Sequence, residues 1–128
     1  MIGYVTLGSN NLDKARAFYS ELLGLIGAKE IMRFPSGFTM FGAGKDKPSI
    51  AVCTPFDGKA ATSGNGTMIS LLAGSRKTVD AMHAKAVALG GTCEGKPGVR
   101  GEEGPKAFYG AYFRDLDGNK LCAFHVGA

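Results

Sequence analysis

The feature that most constrains this chain is an internal repeat, offset by 64 positions in a sequence of 128. Tyr4-Val5-Thr6-Leu7 reads as a short strand, and Met68-Ile69-Ser70-Leu71 reads the same way half a chain later. The offset holds without gaps through the next segment. Ala15, Phe18, Tyr19 and Leu22 are spaced as the apolar stripe of an amphipathic helix, and Val79, Met82, His83 and Ala86 repeat it. Asn10 or Asn11 precedes the first helix and Ser75 the second, residues whose side-chain oxygens accept from the free amides of a first turn. Both helices run into glycine. Gly27 matches Gly91, and both are expected to take the positive φ of a helix C-terminus.

After each helix the pattern changes to short apolar runs punctuated by turns. In the first half the runs are 28–34, 38–41 and 49–53, separated by Pro35-Ser36-Gly37 and by the Gly/Lys/Asp/Pro segment 44–48. In the second half they are 91–94, 108–113 and 120–125, the last two joined by Asp115-Leu116-Asp117-Gly118. The reading is therefore α+β, with two βαβββ modules, 1–54 and 67–128, joined by a loop over 55–66 within one domain, 1–128. A glycine-rich segment, 96–105, has no counterpart of equal length in the first half and is expected to be a loop.

Composition narrows the class. Of the residues 45% are hydrophobic and 20% charged, as in an ordinary globular domain, which at this length buries enough surface to fold without disulfides or metal. No apolar run approaches the ~20 residues of a membrane helix, and the start, Met1-Ile2-Gly3-Tyr4-Val5, lacks the basic and apolar regions of a signal peptide. Three cysteines without CxxC spacing indicate neither a disulfide framework nor a zinc site, so a cytoplasmic setting is expected. Fifteen basic residues outnumber eleven acidic ones, giving +4, but they form no run or stripe, so no nucleic-acid partner is expected. Asp115-Leu116-Asp117-Gly118-Asn119 is not a calcium loop, because Val126 stands where the twelfth-position Glu belongs.

Tyr4-Val5-Thr6-Leu7-Gly8-Ser9-Asn10-Asn11-Leu12 leading into Ala15-Arg16-Ala17-Phe18-Tyr19, then Gly64-Asn65-Gly66-Thr67, then Tyr112-Phe113-Arg114-Asp115-Leu116-Asp117-Gly118-Asn119-Lys120 together resemble the vicinal-oxygen-chelate superfamily. That superfamily includes glyoxalase I (a lyase), bleomycin-resistance proteins and extradiol dioxygenases. The resemblance spans nearly the whole chain, with Leu116 replacing a proline in the closing turn. It implies a curved open sheet built from both modules around a small-molecule cavity, and in metal-dependent members a divalent ion held by His, Gln or Glu. The ligand positions implied by the resemblance fall on Tyr4, Met68 and Cys122, with a fourth near Ala51. Phenol, thioether, one thiol and a methyl group do not make an oxygen/nitrogen site for Mg, Mn, Ni, Zn or Fe. No cofactor is therefore expected; a divalent metal belongs to the alternative, enzymatic reading.

The pocket candidates follow from the same placement. Tyr4 and Met68 are expected at the pocket floor, with Thr6 and Ser70, two residues on, facing the same side. Cys122 and Tyr112 come from the closing strands, and Arg100 is the candidate grip for an anionic end at the rim. His83 is expected to be a packing residue, and His125 to face away from Cys122. The expected function is a metal-free small-molecule binding protein of the glyoxalase/bleomycin-resistance type; the alternative is a lyase- or isomerase-like enzyme acting on a small, anionic substrate. A +4 chain is a poor partner for cationic bleomycin itself. A symmetric homodimer is expected, with a small molecule as the other partner and no membrane.

Overall fold

The computed structural model describes all 128 residues. The fold is α+β, and the two βαβββ modules are present. The first comprises β1 (Tyr4–Gly8), α1 (Leu12–Gly24), β2 (Lys29–Arg33), β3 (Thr39–Gly42) and β4 (Ser49–Cys53). The second comprises β5 (Ile69–Leu72), α2 (Arg76–Ala88), β6 (Thr92–Arg100), β7 (Phe108–Arg114) and β8 (Lys120–Val126). Each module makes its own four-stranded sheet, in the orders β1-β4-β3-β2 and β5-β8-β7-β6. The outer pairs β1–β4 and β5–β8 are parallel and the others antiparallel, so the two halves share one topology.

The helices start as the sequence suggests. Asn11 Oδ1 accepts from Lys14 N at 3.2 Å, and Ser75 Oγ accepts from Thr78 N at 3.1 Å. Their C-termini differ by one residue from the expected match. Gly27 has φ +82°, but in the second module the left-handed residue is Gly90 at +102°, not Gly91. Gly91 is needed for space instead: a Cβ there would lie 2.6 Å from the carbonyl oxygen of Arg114.

A second correction concerns 96–105. Its first half is strand, because β6 continues to Arg100, pairing Gly98 with Gly110, Val99 with Tyr109 and Arg100 with Phe108. Register shifts between Cys93 and Gly98 absorb the irregular sequence, and an edge strand accepts Pro97. Only the turn from Gly101 to Ala107 remains outside the sheet.

Both helices pack on one face of their own sheet and touch each other, so one hydrophobic cluster joins the modules. Phe18, Tyr19, Leu22 and Leu23 of α1 meet Phe41, Ile50 and Val52, and Val79, Met82 and Ala86 of α2 meet Phe113, Leu121 and Ala123, all buried. Each large side chain removed from water here contributes about 1.5–3 kcal/mol. No strand of one sheet contacts a strand of the other. The polar link between the modules is Asp115, at the β7–β8 turn. Its buried carboxylate accepts from Tyr19 Oη at 2.5 Å, from Asn119 Nδ2 and Asn119 N at 2.9 Å, and from Asp117 N at 2.9 Å. Asn119 Nδ2 also donates to Gly8 O, and Asn10 N donates to Asp117 Oδ1. The closing turn of one module is thereby tied to the first strand and helix of the other. Burial, reinforced by Asp115, keeps the Tyr19 phenol protonated well above the ordinary tyrosine range.

Candidate functional site

The site is built by the alternation of side chains along the central strands. On β8, Leu121 and Ala123 enter the helix-side core, so Cys122 and Phe124 point to the other, open face. On β4, Ile50 and Val52 enter the core, so Ala51 and Cys53 take the open face. Strand register then sets neighbours across the sheets. Cys122 lies between Ser70 on β5 and Tyr112 on β7, and Ala51 lies between Thr6 on β1 and Met40 on β3. Ala51 is thus the counterpart of Cys122 in the first sheet.

The second open face carries charge. Arg100 Cζ stands 5.5 Å, and Lys120 Nζ 5.8 Å, from the centre of the Tyr112 ring. Arg100 is braced by its own strand, donating to Lys96 O at 2.6 Å and Gly98 O at 3.0 Å. Neither cation forms an ion pair with a carboxylate, whereas Arg16, Arg33, Arg76 and Arg114 all do. Cys122 has no exposed surface, and burial raises its thiol pKa; the Ser70 and Tyr112 hydroxyls and then the two cations pull it the other way. Burial also raises Tyr112, with the Cys122 sulfur adding to it. No imidazole serves this thiol. His125 turns toward Ala73 O at 3.2 Å, and His83 sits on α2 with its ring edge-on to Phe113.

The first open face is apolar. Tyr4 is 55% exposed and meets Phe38 edge-on at 6.0 Å, and Phe38 stacks on Phe34 at 5.4 Å. Within one chain the candidate residues therefore form two groups. Tyr4 and Thr6 belong to the first sheet; Ser70, Arg100, Tyr112 and Cys122 gather on the second, with Met68 just ahead of β5. Met68 also lines a groove of about 370 Å³ with Gly64–Thr67, Arg114 and Lys120. A larger open crevice, about 740 Å³, lies elsewhere, between the start of α1, Leu89-Gly90 and Leu116-Asp117. Sequence reasoning missed Lys120, because its approach to the Tyr112 ring depends on the pairing of β7 with β8. It also missed the pairing of His83 with Cys93, 3.2 Å apart between α2 and β6.

The model of the glyoxalase/bleomycin resistance protein/dioxygenase superfamily matches residues 1–123. The chain belongs to this superfamily. A glyoxalase/bleomycin resistance protein of Albidiferax ferrireducens T118 is 38% identical, superposes with a TM-score of 0.86, and each chain covers 98% of the other. A superfamily enzyme of Burkholderia phytofirmans PsJN (22% identity, TM-score 0.74, 97% of each chain) shares the fold. So does the lactoylglutathione lyase of Agrobacterium tumefaciens (20%, TM-score 0.65, 98% of this chain and 92% of that one). No curated protein matches the sequence. Metal-binding superfamily members need a cluster of His, Gln or Glu donors, and this chain does not fit that requirement. It brings together no group of three or more His, Cys, Asp or Glu side chains, and the positions the resemblance implies for ligands carry Tyr4, Met68 and Cys122, with a fourth near Ala51. No helix is long and apolar enough to cross a membrane.

Proposed function

We propose that this superfamily member is a metal-free binding protein for a small organic anion, held on the open faces of its sheets in a symmetric homodimer. The observation that carries the reading is the pair of cations, Arg100 and Lys120, that flank one Tyr112 ring without an ion pair of their own, Glu94 reaching Lys120 only through space. Two cations on either flank of one ring favour an anionic guest, and a guanidinium beside a hydroxyl suits a carboxylate or phosphate. Ser70 and Tyr112 offer hydroxyls, and Tyr4, Met68 and Phe38 offer an adaptable apolar wall. Cys122, buried and without a base, suits the floor of such a site better than nucleophilic chemistry.

The same geometry supports a dimer. Tyr4 and Phe34 by the first sheet and Met68 and Leu72 by the second are 42–67% exposed in the single chain, apolar side chains that a second copy would cover. Because the two open faces do not meet within a chain, association of two chains supplies the missing wall. Three free thiols fit the reducing cytoplasm.

The test has three arms. Elemental analysis should return no stoichiometric divalent metal; about one Mn, Ni, Zn or Fe per chain, lost in Cys122→Ala, overturns the metal-free reading. Nuclear magnetic resonance titration with aromatic carboxylates and their uncharged amides should show the acids binding about tenfold more tightly, with shifts centred on Tyr112. Equal binding of the two series overturns the anion site. Light scattering should give twice 13.3 kDa at micromolar concentration, and a persistent monomer overturns the dimer.

A further inference from the structure

Away from both open faces, on the helix side of β6, lies a thiol with a base beside it. Cys93 is exposed, and His83 Nε2 stands 3.2 Å from its Sγ. Two elements fix this distance. Cys93 is paired with Phe113 across β6–β7, and the His83 ring is held edge-on to the same Phe113 at 6.4 Å and 73°. The imidazole is half-buried, and that burial lowers its pKa, with Lys96 adding to the effect and Asp80 opposing it. A neutral imidazole in its Nδ1–H tautomer presents Nε2 as an acceptor to this solvent-accessible thiol. The other cysteines lack this combination. Cys122 has no exposed surface, and Cys53 is partly covered, raised by burial and without an imidazole.

We infer that Cys93 is a reactive modification site, activated by His83 toward small-molecule disulfides such as oxidised glutathione. His83 Nε2 takes the thiol proton, and the Cys93 sulfur attacks one sulfur of the disulfide. A new S–S bond forms as the old one breaks. The leaving thiolate recovers the proton from the imidazolium, so the products are a mixed disulfide on Cys93 and one equivalent of free small thiol. The incoming disulfide is the oxidant, and no other co-reactant is required. The site is independent of the anion-binding reading, since Cys93 and His83 face the helix layer.

The experiment is thiol–disulfide exchange of the native protein with oxidised glutathione under pseudo-first-order conditions, with modified peptides mapped by mass spectrometry. One of the three thiols should react first, and it should be Cys93. Its rate should exceed that of N-acetylcysteine at the same pH. His83→Gln, which keeps a polar side chain but removes the base, should slow Cys93 roughly tenfold without changing the rate at Cys53. Thermal melts of that variant would register any loss of folding. Reaction first at Cys53, a Cys93 rate no greater than that of the free thiol, or an unchanged rate in folded His83→Gln would each overturn the inference.

Discussion

The first and second sheets present the same three positions on their open faces with opposite chemistry. Thr6, Ala51 and Met40 cross the first sheet where Ser70, Cys122 and Tyr112 cross the second. One row is a methyl and a thioether beside a hydroxyl; the other is a thiol between two hydroxyls, overlooked by Arg100 and Lys120. On the helix side of the sheets the halves keep the same apolar character. Phe41 pairs with Ile50 in the first sheet as Phe113 pairs with Leu121 in the second, all four buried. The difference shows where the duplicated unit was free to change. A face buried against a helix must stay apolar and filled, whereas an open face tolerates polar and charged side chains and can acquire a ligand's chemistry.

The comparison can be broken most directly at the matched core. Phe41→Ala and Phe113→Ala should each cost about 3–5 kcal/mol in denaturant unfolding, in one cooperative transition because the core is shared. Costs differing by more than twofold, or two separate transitions, would show that the halves are not equivalent in packing. The next effect tests the polar link. Asp115→Ala strands the Tyr19 hydroxyl and the Asn119 amide in a buried setting and should cost about 3 kcal/mol. Glu94→Ala, which breaks only the exposed 2.8 Å pair with Arg114, should cost under about 1 kcal/mol.

The open faces should separate in binding rather than in stability. Arg100→Ala or Lys120→Ala should weaken an aromatic carboxylate about tenfold each in calorimetric titration, and Met40→Ala on the other sheet should change it far less. The smallest effect concerns pH. His83 has its folded pKa lowered by burial, so the unfolded chain binds the extra proton first. Its stabilising contribution is fully present above the unfolded value of about 6.5 and is lost as pH falls through the lowered folded value. Asp80, Lys96 and Cys93 are the titratable or charged groups facing it. The melting temperature of His83→Gln should therefore decline less than that of the native protein between about pH 7.5 and about pH 5.

Much of this was legible in the residues. The 64-residue offset, the apolar stripes and the capping side chains specify two βαβββ modules, because each rests on local periodicity and backbone chemistry that a helix or strand expresses wherever it sits. The resemblance placed Cys122 toward the open face, and alternation sent His125 to the other. Membership of the superfamily was readable too, as was the mismatch between its metal positions and Tyr4, Met68 and Cys122. What the tertiary structure decided depends on register and on contacts between distant segments. Gly90 rather than Gly91 takes the left-handed turn, because the carbonyl of Arg114 approaches Gly91. β6 continues past Gly95 and Pro97 because β7 is there to pair with it, and this extension carries Arg100 to the Tyr112 ring, which Lys120 reaches from β8. The separation of Tyr4 from Cys122 within one chain, and the meeting of His83 with Cys93, were likewise set by how the helices pack. Side-chain spacing encodes which face a residue takes; only the packed fold determines which faces meet.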